Sequence, residues 1–441
     1  MLSSDARNIP FAPVGMRPVA RRLATTAVVL GRHGARGAWR SRRRDRGTVA
    51  AQELRAAFEE LGPTYVKLAQ LVASSPGLFP DVLATEFRAC LDEVPPVAGD
   101  QVRFVIETEL GAPIEDLFAT FDARPLASAS IAQVHAATLA DGSEVVVKVQ
   151  RPGLAPRLRA DLAVLRQLAR LVDRVSRTGR MANPVAVVED FAATLAAELD
   201  FVTEGQSMER FAAGLTRFGD NANVRIPAVH WPLTTPRVLT MERIHGYKID
   251  DLTRLGATGW DLAGALKAGV RAWMEAALVH GFFHGDVHAG NLMVDTDGRV
   301  VFLDFGICGE LDDATRRVIS EGLPALLVDR DFRRVANAIY DLGAILSPAD
   351  LEQSSRDIAE LVTPILERPL SEISYGEVLV DIVKVGTRYD VRLPRELVLV
   401  AKQLLYFERY AKLIAPDWTI LDDPDLIAFL FSTPLAGEQA V

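Results

Sequence analysis

Apolar positions recur at helical spacing along most of this chain and switch to short β-branched or alternating runs at a few places only. Helical periodicity predicts Gln52 to Leu61, Thr64 to Ser74, Pro80 to Asp92 and Gly99 to Leu110. Pro63, the Ser74-Ser75-Pro76-Gly77 run and the stiff Val94-Pro95-Pro96-Val97 linker punctuate them. After an apolar segment around Leu117 to Phe121, the period changes to that of strands. Ile131 to Leu139, the turn Asp141-Gly142 and Val145 to Val149 read as a hairpin. Residues 154–217 return to helical spacing, followed by strands at Val224 to Val229 and Arg237 to Met241. A hinge-like stretch, Glu242 to Gly246, precedes a helix over 259–280, and Val300 to Leu303 reads as a buried strand. The remainder, to about Phe431, has helical periodicity. No internal repeat or low-complexity tract interrupts the chain.

With 441 residues, 49% of them hydrophobic, the chain can bury a substantial core, and disorder is expected only at its ends. Its two cysteines, Cys90 and Cys308, imply no disulfide framework, so a reducing, cytoplasmic setting is expected. The net charge of -9 conceals an asymmetry: residues 1–50 carry eleven arginines against Asp5 and Asp45, a local +9. The cluster Arg40, Arg42, Arg43, Arg44 and Arg46 can attract an anionic membrane surface, the alternative being a solvated, flexible tail. No aromatic stacking platform accompanies it, so no nucleic-acid partner is expected. No apolar run approaches the roughly 18 residues that span a bilayer. Leu23 to Leu30 is short, lies between arginines and lacks a cleavage pattern after it. The expected location is therefore cytoplasmic, with peripheral attachment at the inner membrane surface as an option.

The candidate chemistry lies in two downstream segments, His284-Gly285-Asp286-Val287-His288-Ala289-Gly290-Asn291 and Asp304-Phe305-Gly306. An Asp followed five residues later by an Asn, then a strand ending in Asp-Phe-Gly, is how a kinase fold builds its catalytic loop and metal-binding Asp. Asp286 would orient or deprotonate an attacking hydroxyl. Asn291 and Asp304 would hold Mg2+, a hard cation that takes oxygen ligands. Kinase chemistry also needs an upstream strand lysine for the α/β-phosphates of ATP, and Lys148 stands in the β-branched run Glu144 to Val149.

Further residues resemble the UbiB or AarF-type atypical kinase family over roughly residues 50–415. Lys67-Leu68-Ala69-Gln70 is similar to that family's Lys-x-Gly-Gln extension, and Ala127-Ser128-Ala129-Ser130 to its alanine-rich nucleotide loop. Lys148 to Gly153 resembles its phosphate-lysine strand, and Glu198-Leu199-Asp200 its Glu-x-Asp motif. The resemblance implies an α+β, two-lobed protein-kinase-like fold with a helical N-terminal extension and a helix-rich C-terminal lobe. It divides the chain into a basic flexible tail (1–48), the extension (49–124), an N-lobe with a helical insertion (125–243), a C-lobe (244–431) and a terminal tail (432–441). It implies nucleotide contacts from Ala127, Ser128, Ala129, Ser130 and Val134, from Lys148, and from the hinge at Met241 and Glu242. Lys67 and Gln70 stand three apart on one helical face, and the resemblance implies that Lys67 meets Glu198 and Asp200. Glu204, six residues past Glu198, is the expected ion-pair partner of Lys148, with Glu198 as second candidate.

Three departures from the family pattern stand out: Ala69 for glycine, Ser128 within the usual triple alanine, and Val287 and Ala289 where the catalytic loop has prolines. The last pair is expected to loosen that loop. The resemblance implies Mg2+-dependent ATPase or small-molecule kinase activity supporting quinone or isoprenoid-lipid metabolism, on an isoprenoid, quinone-like or phenolic partner. The alternatives are a nucleotide-gated scaffold, an aminoglycoside- or choline-kinase-type phosphotransferase, and a transition-metal cluster of His284, Asp286 and His288. The oligomeric state is not legible.

Overall fold

The computed structural model describes residues 15–41, 45–73, 81–87, 89, 95–175, 184–216, 221–313, 315–316, 322, 325, 329–341, 348–366, 395–416 and 418. The chain opens with helices α1 (Met16–Arg40), α2 (Arg46–Leu61), α3 (Pro63–Ala73), α4 (Asp81–Phe87), α5 (Gly99–Leu110) and α6 (Ile114–Leu117). Strands β1 (Thr120–Ser128), β2 (Ala132–Thr138) and β3 (Glu144–Gln150) follow, then helices α7 (Leu154–Val175), α8 (Pro184–Glu198) and α9 (Phe201–Leu215). Next come β4 (Val224–Arg225), β5 (Val238–Glu242), β6 (Gly246–Lys248), α10 (Leu252–Leu255), α11 (Leu262–Leu278), β7 (Phe282–His284), β8 (Leu292–Asp295), β9 (Val300–Phe302) and β10 (Cys308–Glu310). Helices α12 (Phe332–Asp341), α13 (Pro348–Leu366) and α14 (Arg395–Ile414) complete the described elements. They form two compact units, residues 1–205 with 229–243, and residues 206–228 with 244–441.

In the first unit an antiparallel sheet runs β1-β2-β3-β5. Strand periodicity of two sends Val145, Val147 and Val149 into a core with Val102, Val105 and Ile106 of α5. Lys148 therefore belongs to the opposite face of β3. The hairpin turn closes as its residues require: Gly142 adopts φ 87°, and Asp141 accepts from the Ser143 amide at 2.9 Å. A second core joins α7 and α8 through Leu158, Leu162, Leu165, Phe191, Ala192 and Leu195, with Leu61 and Tyr65 packed among them.

Where it is described, the basic segment departs from the expected flexible tail over 1–48; residues 1–14 and 42–44, with Arg42, Arg43 and Arg44, lie outside the described residues. Residues Met16–Arg40 form a 25-residue helix whose buried positions are Thr26, Val29, His33 and Gly37, a mixed stripe at helical spacing. Arg22 pairs with the fully buried Asp161 of α7, which also accepts from Thr64 Oγ1 at 2.6 Å. Thr26 Oγ1 meets Tyr65 Oη at 3.0 Å, and His33 Nδ1 meets Glu53 Oε2 at 2.8 Å. Removing one member of a buried ion pair leaves the other desolvated and uncompensated. Asp161→Ala is thus expected to lower the stability of this unit by about 3 kcal/mol, read from denaturant unfolding. A midpoint equal to that of the parent would show that α1 docks through its apolar contacts alone.

Two further expectations change. The strand expected over Val224 to Val229 stops at Arg225, since Pro227 lacks an amide for the ladder. Val229 makes only an isolated bridge to Met241. The hinge-like stretch ends in a strand, because Gly246 opens β6 beside β8. A Cβ there would lie 2.1 Å from the Val294 carbonyl oxygen, so only glycine permits that approach.

In the second unit a sheet runs β4-β9-β8-β6, and β7 pairs with β10. Helix α11 buries Trp273 at 1% exposure, its ring 5.5 Å from Phe283 and 5.7 Å from Phe407 of α14. Phe407 therefore belongs to the core. Among the described residues no helix is long and apolar enough to cross a membrane.

Candidate active site

Each unit holds one set of the residues singled out by sequence. In the first, Lys148 Nζ lies 2.7 and 2.9 Å from the two carboxylate oxygens of Glu204. Glu204 is 2% exposed and the Lys148 side chain 14%, so this is a buried pair, and the ammonium also lies 5.2 Å from the Phe201 ring centroid. Glu198 takes a different lysine: Lys67 Nζ sits 2.9 Å from Glu198 Oε2. The separation arises because α8 ends at Glu198 and a new helix starts at Phe201. Asp200 opens the latter, accepting from the Val202 amide at 3.0 Å and from Thr203 Oγ1 at 3.1 Å. Glu198 and Glu204 are therefore on two helices rather than along one. Gln150 Nε2 donates to the Leu199 carbonyl at 3.0 Å, tying the break to the end of β3.

The alanine-rich loop joins β1 to β2. Ala127 and Ser128 end β1, Ala129 is exposed, Ser130 is buried and Val134 is half-buried on β2. Arg151 holds the loop, donating to the Ala129 carbonyl at 2.8 Å, to Ser128 Oγ at 2.8 Å and to the Pro95 carbonyl at 3.1 Å. Ser128 thus has a partner that a third alanine would lack. Ala69 is fully buried against Val66, Val72 and Phe87, a packing role that its methyl fills. Gln70 is half-buried on α3, while Met241 and Glu242 close β5.

The second unit presents the catalytic-loop residues. His284 is fully buried at the end of β7, its Nε2 2.9 Å from the Leu303 carbonyl and its Nδ1 accepting from the Asp286 amide at 3.1 Å. Burial holds its imidazole below the ordinary histidine range, so it is neutral with the proton on Nε2. Both ring nitrogens are consumed, which removes His284 from any transition-metal cluster. Among the described residues no group of three or more His, Cys, Asp or Glu is placed to hold a metal.

Asn291 Nδ2 donates to the Asp286 carbonyl at 2.9 Å. With its amide nitrogen engaged, its side-chain oxygen remains the acceptor end, as a hard cation requires. The Leu303 amide donates to the Asn291 carbonyl at 2.9 Å, which places Asn291 one residue from Asp304 across the backbone. Asp304 is exposed and adopts φ 56°, a left-handed conformation that non-glycine residues rarely take and that costs about 1–2 kcal/mol. An amide oxygen and a carboxylate are the donor types that a hard cation such as Mg2+ takes.

Asp286 meets two groups. Lys402 Nζ of α14 is 3.0 Å from its Oδ1, and His288 Nε2 is 3.6 Å from its Oδ2. Burial alone would raise this carboxyl, but the Lys402 ammonium, with His288 beside it, holds it below the ordinary aspartate range. A carboxylate so stabilised is better suited to orienting a hydroxyl than to removing its proton. Next to Lys402, the fully buried Gln403 accepts from the Val287 amide at 2.8 Å and donates to the Gly285 carbonyl at 2.6 Å. The loop is clamped there, contrary to the loosening expected from the missing proline. Sequence reasoning missed Lys402, Gln403 and Arg151. The one available signal was a Lys-Gln pair set in the apolar stretch Leu397 to Phe407.

Comparison with known proteins identifies the family. A family model of the ABC1 atypical kinase-like domain covers residues 89–339, and one of the UbiB helical domain covers residues 358–419. An uncharacterised Mycobacterium tuberculosis protein is 44% identical over 426 residues, 96% of this chain and 86% of the relative. Proteins named probable protein kinase UbiB are 38% identical in Xylella fastidiosa, over 84% of this chain and 67% of the relative. In Xanthomonas campestris they are 39% identical, over 83% and 68%. A solved Mycobacterium tuberculosis protein in complex with erythromycin aligns with a TM-score of 0.53 at 24% identity, over 79% of this chain and 90% of that one, which speaks to fold alone. The fold is kinase-like, and the chain belongs to the ABC1/UbiB family of atypical kinase-like proteins.

Proposed function

We propose that this protein is a Mg2+-dependent ATP-using enzyme, an ATPase or a kinase of a small lipid-like or phenolic substrate, serving quinone or isoprenoid-lipid metabolism. The observation that carries the reading is the loop from His284 to Asn291, in which neutral His284 and the Asn291 amide fix the backbone on both sides of Asp286. Asp286 orients the attacking hydroxyl, whether of water or of an acceptor. Asn291 and Asp304 hold Mg2+, which when bound neutralises the phosphates. Lys148, set by Glu204, anchors the α/β-phosphates. The rate then comes from positioning and electrostatics rather than from covalent chemistry.

The lipid-facing part of the reading is supported by the exposed Arg17, Arg21, Arg32 and Arg36 on α1. Purified protein is expected to hydrolyse ATP only with Mg2+, and faster when anionic liposomes or a phenolic quinone-precursor mimic is added. Tight nucleotide binding without turnover under all these conditions would favour the nucleotide-gated scaffold. Mg2+-dependent turnover indifferent to lipid and phenol would remove the proposed substrate class while leaving the nucleotide chemistry.

A further inference from the structure

The segment His284 to Asn291 contains no lysine or arginine, yet it must work beside the charge of Asp286, of Asp304 and of any nucleotide phosphate. The cation it needs arrives from elsewhere. Lys402, 116 residues downstream, lies 3.0 Å from Asp286 Oδ1. The loop also carries Val287 where a proline would restrict the backbone, and the amide that Val287 therefore retains is the one Gln403 uses. Gln403 engages the peptide on each side of Asp286, at Gly285 and Val287, in the manner of a neighbouring strand, and Nε2 also donates to the Leu399 carbonyl at 3.1 Å on its own helix. Helix α14 is itself fixed by Phe407 against Trp273, whose Nε1 donates to the His284 carbonyl at 2.8 Å. The contacts that reach the loop fall on four consecutive residues, His284 to Val287.

We propose that α14 completes the catalytic loop: Gln403 sets the backbone of Gly285 to Val287, and Lys402 sets the direction of the Asp286 carboxylate. Both are positioning residues that act through Asp286. The proposal rests on the reading of Asp286 given above. It makes the helical segment after the kinase-like domain part of the site, since residues 89–339 contain the loop but not its clamp.

The test uses the full chain with Lys402→Met, Lys402→Arg and Gln403→Leu, and two readouts. Hydrogen exchange over the peptide covering 284–292 reports the clamp whether or not the protein turns over ATP. Exchange there is expected to rise about tenfold or more in Gln403→Leu, with other segments unchanged, because the Val287 amide loses its acceptor. Steady-state hydrolysis in Lys402→Met is expected to fall about tenfold to a hundredfold in kcat, with KM for ATP within about threefold, and Lys402→Arg to recover most of it. Loop exchange equal to the parent's in Gln403→Leu overturns the clamp. So does exchange that rises throughout the chain, which would mean that α14 only packs. If the parent shows no turnover, the functional reading fails, and the exchange data still decide whether α14 holds the loop.

Discussion

Asp304→Asn is expected to lower Mg2+-dependent ATP turnover by about a thousandfold or more, since it replaces the carboxylate proposed to hold the metal by a neutral amide of the same shape. The fold should be indifferent to the change. Asp304 is exposed, it accepts from the Gly306 amide at a long 3.3 Å, and asparagine tolerates the left-handed φ of 56° as well as aspartate does. Backbone strain of this kind clusters at sites where it aims a group. The measurement is ATP hydrolysis against Mg2+ concentration, with thermal unfolding as a control. The variant should melt with the parent and need far more Mg2+ for any residual rate. Turnover within twofold of the parent at all Mg2+ concentrations would sink the assignment of Asp304 as a metal ligand.

How much of this was legible differs between elements, for physical reasons. Helix α5 runs over Gly99–Leu110 and β3 over Glu144–Gln150, close to where periodicity put them, because each has a single buried face and repeats with its own period. The candidate site residues Asp286, Asn291 and Asp304 could be grouped by identity, since they lie within twenty residues of one another. Helix α1 was hidden because two of the residues it buries, Thr26 and His33, are polar. Thr26 and His33 read as surface positions until their partners, Tyr65 and Glu53, are brought alongside. The break at Leu199 was missed because helical periodicity continues through it, while Asp200 acts as a cap that no apolar pattern reports. Lys402 and Gln403 were out of reach for a similar reason. Their meaning depends on the position of a loop 116 residues earlier, and periodicity carries no information about such pairings.

Lys148→Met provides the second large effect, and it separates stability from function. Glu204 is 2% exposed and both of its oxygens lie within 2.9 Å of the Lys148 ammonium, so losing the lysine removes its cation from a desolvated carboxylate. The expected cost is about 3–5 kcal/mol of stability. ATP affinity should fall at least about tenfold as well, because a charged anchor is gone, but destabilisation alone could depress any binding measurement. The double variant Lys148→Met with Glu204→Leu resolves the two. An apolar pair in place of a buried ion pair is often neutral in stability, so most of the lost free energy should return. Nucleotide affinity should not return, since neither methionine nor leucine meets a phosphate. If the double variant regains both, Lys148 serves the fold and the phosphates are held by other groups. If it regains stability alone, the pair is a site feature for which Glu204 fixes the lysine, and the buried charge is retained for its chemistry rather than for its contribution to folding.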